Sequence, residues 1–321
     1  MRRMRGDRGA TSVMVAVTLA ALLGMAGLSV DAGALYQERR ELSNGADAAV
    51  LAIAEDCALG TRPCDAATAQ ATAATYADEN TRDGSADVVG LSLDTAQRTI
   101  SVVTGTRNPD GTTKVRPFFA QVIGWEGATV KASATAIWGY PRTVRVNLPL
   151  IISECEFPRT TPVPTPERVL YFHDGNNTET CNAVAGMDTD GDGVLAGGFG
   201  WLLSARCDAM LTADLWYSVD PGTSPPASCS PVGFESLMGK EIPIPIFDDL
   251  EMVGAGGRYH LVGFGLFHVT GYNFGGQYKE PATPPCSGDE RCISGYFASG
   301  VVYEGEPGGQ DWGFAIVKLT G

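Results

Sequence analysis

Residues 13–30, VMVAVTLAALLGMAGLSV, carry no charged side chain over 18 consecutive positions. As an α-helix the run extends ~27 Å at about 1.5 Å per residue, close to the ~30 Å hydrocarbon thickness of a bilayer. No second stretch of this kind follows, so the chain crosses a membrane once at most. Arg2, Arg3, Arg5 and Arg8 precede the run against Asp7 alone, whereas Arg39 and Arg40 beyond it are offset by Glu38 and Glu41. That bias places the N-terminus in the cytoplasm and the rest of a single-pass cell-membrane protein outside.

The charge of the remainder narrows the partners. The chain holds 23 basic and 37 acidic side chains, net −14. Without the four basic groups and one acidic group of residues 1–30, the body keeps 19 basic against 36 acidic. A surface this acidic repels phosphate backbones and excludes nucleic acid. Membrane lipid and other proteins remain.

Three fates compete for the apolar run: a retained anchor, a signal peptide cut at Ala32-Gly33-Ala34, or a pilin-type leader cut after Gly9. Signal-peptide cores usually run about 7–15 residues, and this one is longer. Leu35, Leu42, Ala46, Ala49 and Ile53 also continue a helical stripe past the membrane edge, with steps of seven, four, three and four. Cutting at Ala34 severs that helix, so the anchor is the expected fate. Ala16, Ala20 and Gly24 form a small-residue face within the span, equally an outcome of ordinary Ala/Gly richness.

Residues 8–54, RGATSVMVAVTLAALLGMAGLSVDAGALYQERRELSNGADAAVLAIA, are similar to the N-terminal segment of TadE/TadG-like proteins of the Flp (tight-adherence, Tad) pilus assembly system. The shared features are RGA before the span, VDAG at its end, a Tyr followed by paired arginines, and L-x-N-x-A-D-A-A-x-L-A. A second patch, FFAQVIGWEGATVKASATAIWG at 118–139, resembles the later part of such domains. Members that enter the filament carry Glu five residues after the leader's Gly; here Gly9 is followed at that spacing by Met14. The resemblance therefore implies the anchored, TadG-like branch, with other Tad/Flp assembly proteins as partners. The D-x-S-x-S signature of the von Willebrand A domain in some relatives is also missing: residues 83–87 read DGSAD.

The expected fold is α+β. A cytoplasmic basic leader (1–12) and a transmembrane helix (13–30) precede a pilin-like helix-on-sheet module (31–140). A mainly antiparallel β domain (141–321), braced by disulfides, completes the chain. Within the module, a short Ala/Thr-rich helix over 65–78 precedes strand, turn, strand, a short helix over 116–124, and strand. The helix over 116–124 would carry Phe118, Phe119, Val122 and Ile123 on one face. From 142 on, alternating runs at 142–153, 168–173, 241–247, 259–274, 292–302 and 311–319 read as strands of a barrel or sandwich. Eight cysteines, 57, 64, 155, 181, 207, 229, 286 and 292, all follow the span, as an oxidising compartment favours. Cys57/Cys64, Cys286/Cys292, Cys155/Cys181 and Cys207/Cys229 are the sequence-neighbour pairings.

Candidate chemistry is sparse. Asp188, Asp190 and Asp192 alternate ahead of Gly193, and Val194 offers a backbone carbonyl; this spacing wraps Ca2+ in loops of the EF-hand kind. The twelfth position is Phe199 instead of Glu, and the competing reading is a solvated acidic turn. His260 and His268 share strand parity but stand ~27 Å apart on a straight strand, too far to share a metal. His173-Asp174 suggests half a triad without a G-x-S-x-G nucleophile. Asp248-Asp249 reads as a solvated loop. The resulting expectation is a non-enzymatic, membrane-anchored component of Flp pilus assembly acting through its extracytoplasmic body. An anchored calcium-dependent surface-binding or adhesion module, and a secreted hydrolase with an unrecognised site, are the alternatives.

Overall fold

The structure, a computed structural model, describes residues 7–82, 84, 86–157, 163–172, 180–182, 194–251 and 256–320. Two compact units emerge. The first comprises Met1–Cys57, Arg62–Ile137 and Leu319–Gly321, the second Ala58–Thr61 and Trp138–Lys318.

The first unit is built on α1, an unbroken 53-residue helix, Asp7–Leu59. Its sequence contains no proline, and Ala and Leu predominate. Gly60 stops it with φ of 66°, the left-handed conformation that costs glycine least. A disulfide from Cys57 to Cys64 then ties the helix end to the start of α2, Ala66–Glu79. Asp65 caps α2 by accepting the Thr68 N–H at 2.9 Å.

The expected stripe is the packed face. Leu42, Ala46, Ala49 and Ile53 are buried together with Val50 and Ala54, and each large side chain among them stabilises the unit by about 1.5–3 kcal/mol. Small residues let α2 close in: a Cβ on Gly45 would stand 3.2 Å from the Ala77 Cα. β1 (Ala86–Asp94) pairs antiparallel with β2 (Thr99–Thr106), and β2 antiparallel with β3 (Lys131–Gly139). Ile100, Val102, Thr104 and Thr106 alternate inward on β2. The two threonines find partners on α1: Thr104 Oγ1 donates to the Leu42 carbonyl at 2.8 Å and Thr106 Oγ1 to Glu38 Oε1 at 2.7 Å. The helix expected over 116–124 is only one 3-10 turn, Ala120–Ile123. After the sheet, Thr320 N–H donates to the Thr135 carbonyl at 2.9 Å, so the last described residue belongs with this unit.

The second unit is almost all β. Its strands are β4 (Pro141–Val146), β5 (Leu150–Ser153), β6 (Arg168–Tyr171), β7 (Thr180–Asn182), β8 (Val194–Ala196), β9 (Phe199–Leu202), β10 (Ala209–Thr212) and β11 (Leu215–Asp220). A one-turn helix α3 (Pro231–Glu235) follows. Then come β12 (Glu241–Glu251), β13 (Arg258–Gly275), β14 (Tyr278–Glu280), β15 (Cys292–Ala298), β16 (Val301–Val302), β17 (Gly305–Pro307) and β18 (Ala315–Leu319). Five strands close a ring: β11 pairs β9, β9 pairs β5, β5 pairs β12 in parallel, β12 pairs β13, and β13 returns to β11. Within the ring each strand has a neighbour on both sides. The 18-residue β13 makes it possible, because its first half serves β11 and its second half turns to β15, with register shifts between.

Aromatic side chains fill the core. Trp201 and Phe274 meet edge-on at 5.0 Å, and Phe157 touches both Phe297 (4.8 Å) and Trp312 (5.2 Å). The disulfides Cys207–Cys229 and Cys286–Cys292 brace the loops, and Cys155 is disulfide-bonded as well.

Candidate functional site

The sequence divides α1 into two chemically different lengths, and the structure treats them differently. From Leu42 onward the apolar stripe is covered by α2 and the sheet. Over residues 13–26 every side chain is exposed, Leu22 and Leu23 at 59% and 64%. This helix is long and apolar enough to cross a membrane. Ala16, Ala20 and Gly24 lie on this open length, and a Cβ on Gly24 would meet nothing within 4 Å. Residues 32–34 are interior to the helix, with no break there.

Between the two lengths sits Asp31, only 3% exposed. Its Oδ1 accepts the Phe118 N–H at 2.6 Å, its Oδ2 accepts the Ala120 N–H at 2.7 Å, and both oxygens share the Phe119 N–H at 3.2 and 3.1 Å. Three backbone donors on one carboxylate are strong, charge-assisted hydrogen bonds. They give the Asp of the VDAG motif a physical role: it fastens the segment after Pro117 to the helix at the end of the apolar run. One turn earlier, a Cβ on Gly27 would lie 2.9 Å from Phe119 Cβ and Cγ, so only glycine admits that ring against the helix.

The sequence reading of Asp248-Asp249 as a solvated loop is corrected. Both lie on β12, 3% and 5% exposed. β12 is an interior strand of the closed ring, and register shifts on either side of Phe247 replace simple two-face alternation. Asp248 Oδ1 meets His260 Nδ1 at 2.6 Å. Burial pushes the Asp248 carboxyl above its ordinary range, opposed by the hydrogen bond and charge of His260. The His260 ring also lies 5.2 Å from Trp216, over which the Arg258 guanidinium sits at 5.4 Å. His268 has a different neighbour, stacking on Tyr296 at 4.6 Å, so the two histidines do not converge. Among the described residues no group of three His, Cys, Asp or Glu side chains is placed to hold a metal. Asp188, Asp190 and Asp192 of the acidic loop, and His173-Asp174, lie outside the described residues; Val194 begins β8.

Residues 9–55 match the family model described as "Tad: Putative Flp pilus-assembly TadE/G-like". The match lies wholly on α1, both its open and its packed length, and supports involvement in Flp pilus assembly. No curated protein and no solved structure matches the chain.

Proposed function

We propose that this chain is a non-enzymatic, single-pass component of Flp pilus assembly, anchored by the first length of α1 and acting through its body outside the membrane on other pilus-assembly proteins. The observation that carries the reading is the coincidence on α1: the pilus-assembly match covers a helix whose first length is bare and apolar and whose second length is the packing spine of a folded unit. The arginines before the span and the disulfides after it support the orientation. The test is deletion of the gene in its native host, complemented by the intact chain and by a chain with Leu19, Leu22 and Leu23 changed to Asp. Loss of surface pili, restored by the first copy and not by the second, is the expected outcome. Normal pili in the deletion strain overturn the proposal.

A further inference from the structure

The segment PFFAQVIGW, residues 117–125, has no charged side chain and belongs to the first unit. Phe118, Phe119, Val122 and Ile123 are 72%, 53%, 88% and 76% exposed. Four large apolar side chains bared within six residues are unusual on a folded surface that only water touches. Their position along α1 is fixed twice. Phe119 packs at Gly27, three residues inside the end of the apolar run, and the backbone at 118–120 is held by Asp31, one residue beyond it.

Many of the segment's polar groups are already paired. Besides the three donors held by Asp31, Val122 N–H donates to Phe119 O, Gly124 N–H to Gln121 O and Trp125 N–H to Ala120 O. Even the Gln121 amide donates to the Pro117 carbonyl at 2.6 Å. A segment that presents apolar side chains while most of its backbone N–H groups are paired is what a hydrocarbon boundary tolerates. Trp125, exposed at the segment's end, is the residue type enriched at that boundary.

From this geometry we infer that residues 117–125 form a second membrane contact, with Phe118, Phe119, Val122 and Ile123 seated among lipid acyl chains beside the anchor. The inference rests on the anchored reading of α1. It makes the helix and the segment a two-point attachment that sets the height and tilt of the first unit over the bilayer.

Benzophenone crosslinking tests it in the full-length chain reconstituted in phosphatidylcholine–phosphatidylglycerol vesicles. The photoreactive residue benzoylphenylalanine is placed singly as Leu22→benzoylphenylalanine in the span, Val122→benzoylphenylalanine in the segment, and Asn44→benzoylphenylalanine. Asn44 is exposed on α1, about 21 Å beyond residue 30 at about 1.5 Å per residue. After irradiation, lipid adducts are read by intact mass. The expected result is adduct formation at Val122 within a few-fold of that at Leu22, with Asn44 at background. Adding Gly27→Leu, which expels the Phe119 ring, is expected to lower the Val122 adduct and leave Leu22 unchanged. Lipid adducts at Leu22 without any at Val122 overturn the inference and leave the anchor standing. Protein adducts at Val122, to a second copy of the chain, overturn it in favour of a protein partner. No lipid adduct at Leu22 overturns the anchor itself.

Discussion

Two buried carboxylates in the second unit show how differently one charge can be accommodated. Glu156, 4% exposed, is paired with Arg168 Nη2 at 2.8 Å, and its Oε1 accepts the Gly198 N–H at 2.9 Å. Replacing Arg168 by Met strands a desolvated charge, a change that costs about 3 kcal/mol or more. Urea unfolding of the chain in detergent, followed by tryptophan fluorescence, checks this. Asp248 is held instead against His260, and burial raises its folded pKa. The native state therefore keeps that proton to higher pH than the unfolded chain does. The Asp248 contribution to stability falls as pH rises from the ordinary carboxylate value through the raised one, and is constant above it. Asp248→Asn is expected to remove that fall, which unfolding midpoints at a series of acidic to neutral pH values measure. Neither role was legible in the sequence. Two adjacent acids give no sign of which strand will cover them, and Arg168 is twelve residues from its partner across a Pro-rich stretch.

At the scale of elements, periodicity was legible in α1 and in most of β13, but not at the end of β12, where register shifts break the alternation. The steps between Leu42 and Ile53 marked the buried face of α1, and the Ala/Thr-rich run over 65–78 marked α2. The short strands β9, β10 and β17 span at most two strand periods, too few to stand out from their surroundings, and went unread. The segment after Pro117 shows a subtler failure. Its apolar spacing fits a helix face, but one carboxylate 87 to 89 residues earlier in the chain takes the N–H groups that open the turn. Long strands carry their own constraint. A Cβ on Gly263 in β13 would stand 2.0 Å from Trp312 Nε1, so the strand can pass the indole only as bare backbone. Gly263→Ala is expected to destabilise the second unit by about 3 kcal/mol, at the upper end for overpacked cores. A lower thermal midpoint with the first unit's far-UV helix signal retained is the outcome that checks it.

Taken as a whole molecule, the chain is an α+β protein whose first unit takes most of its residues from before 138 and its last few, 319–321, from after the β unit. The α+β class was legible from the switch between helical and strand periods, since each unit uses one period predominantly. The closure of β11, β9, β5, β12 and β13 was not, because it depends on a parallel β5–β12 pairing that no local pattern encodes.

The return of residues 319–320 to the first unit has a consequence in time. The 181 residues of the second unit from Trp138 to Lys318 are synthesised between Thr135 and the Thr320 backbone that hydrogen-bonds to it. At about 5–20 residues per second, that interval is roughly ten to thirty-five seconds. The nascent chain thus makes α1 first and holds its first folded unit unfinished until the second has been synthesised. Biogenesis of this protein therefore runs as a nested order, in which the part begun first is the part completed last.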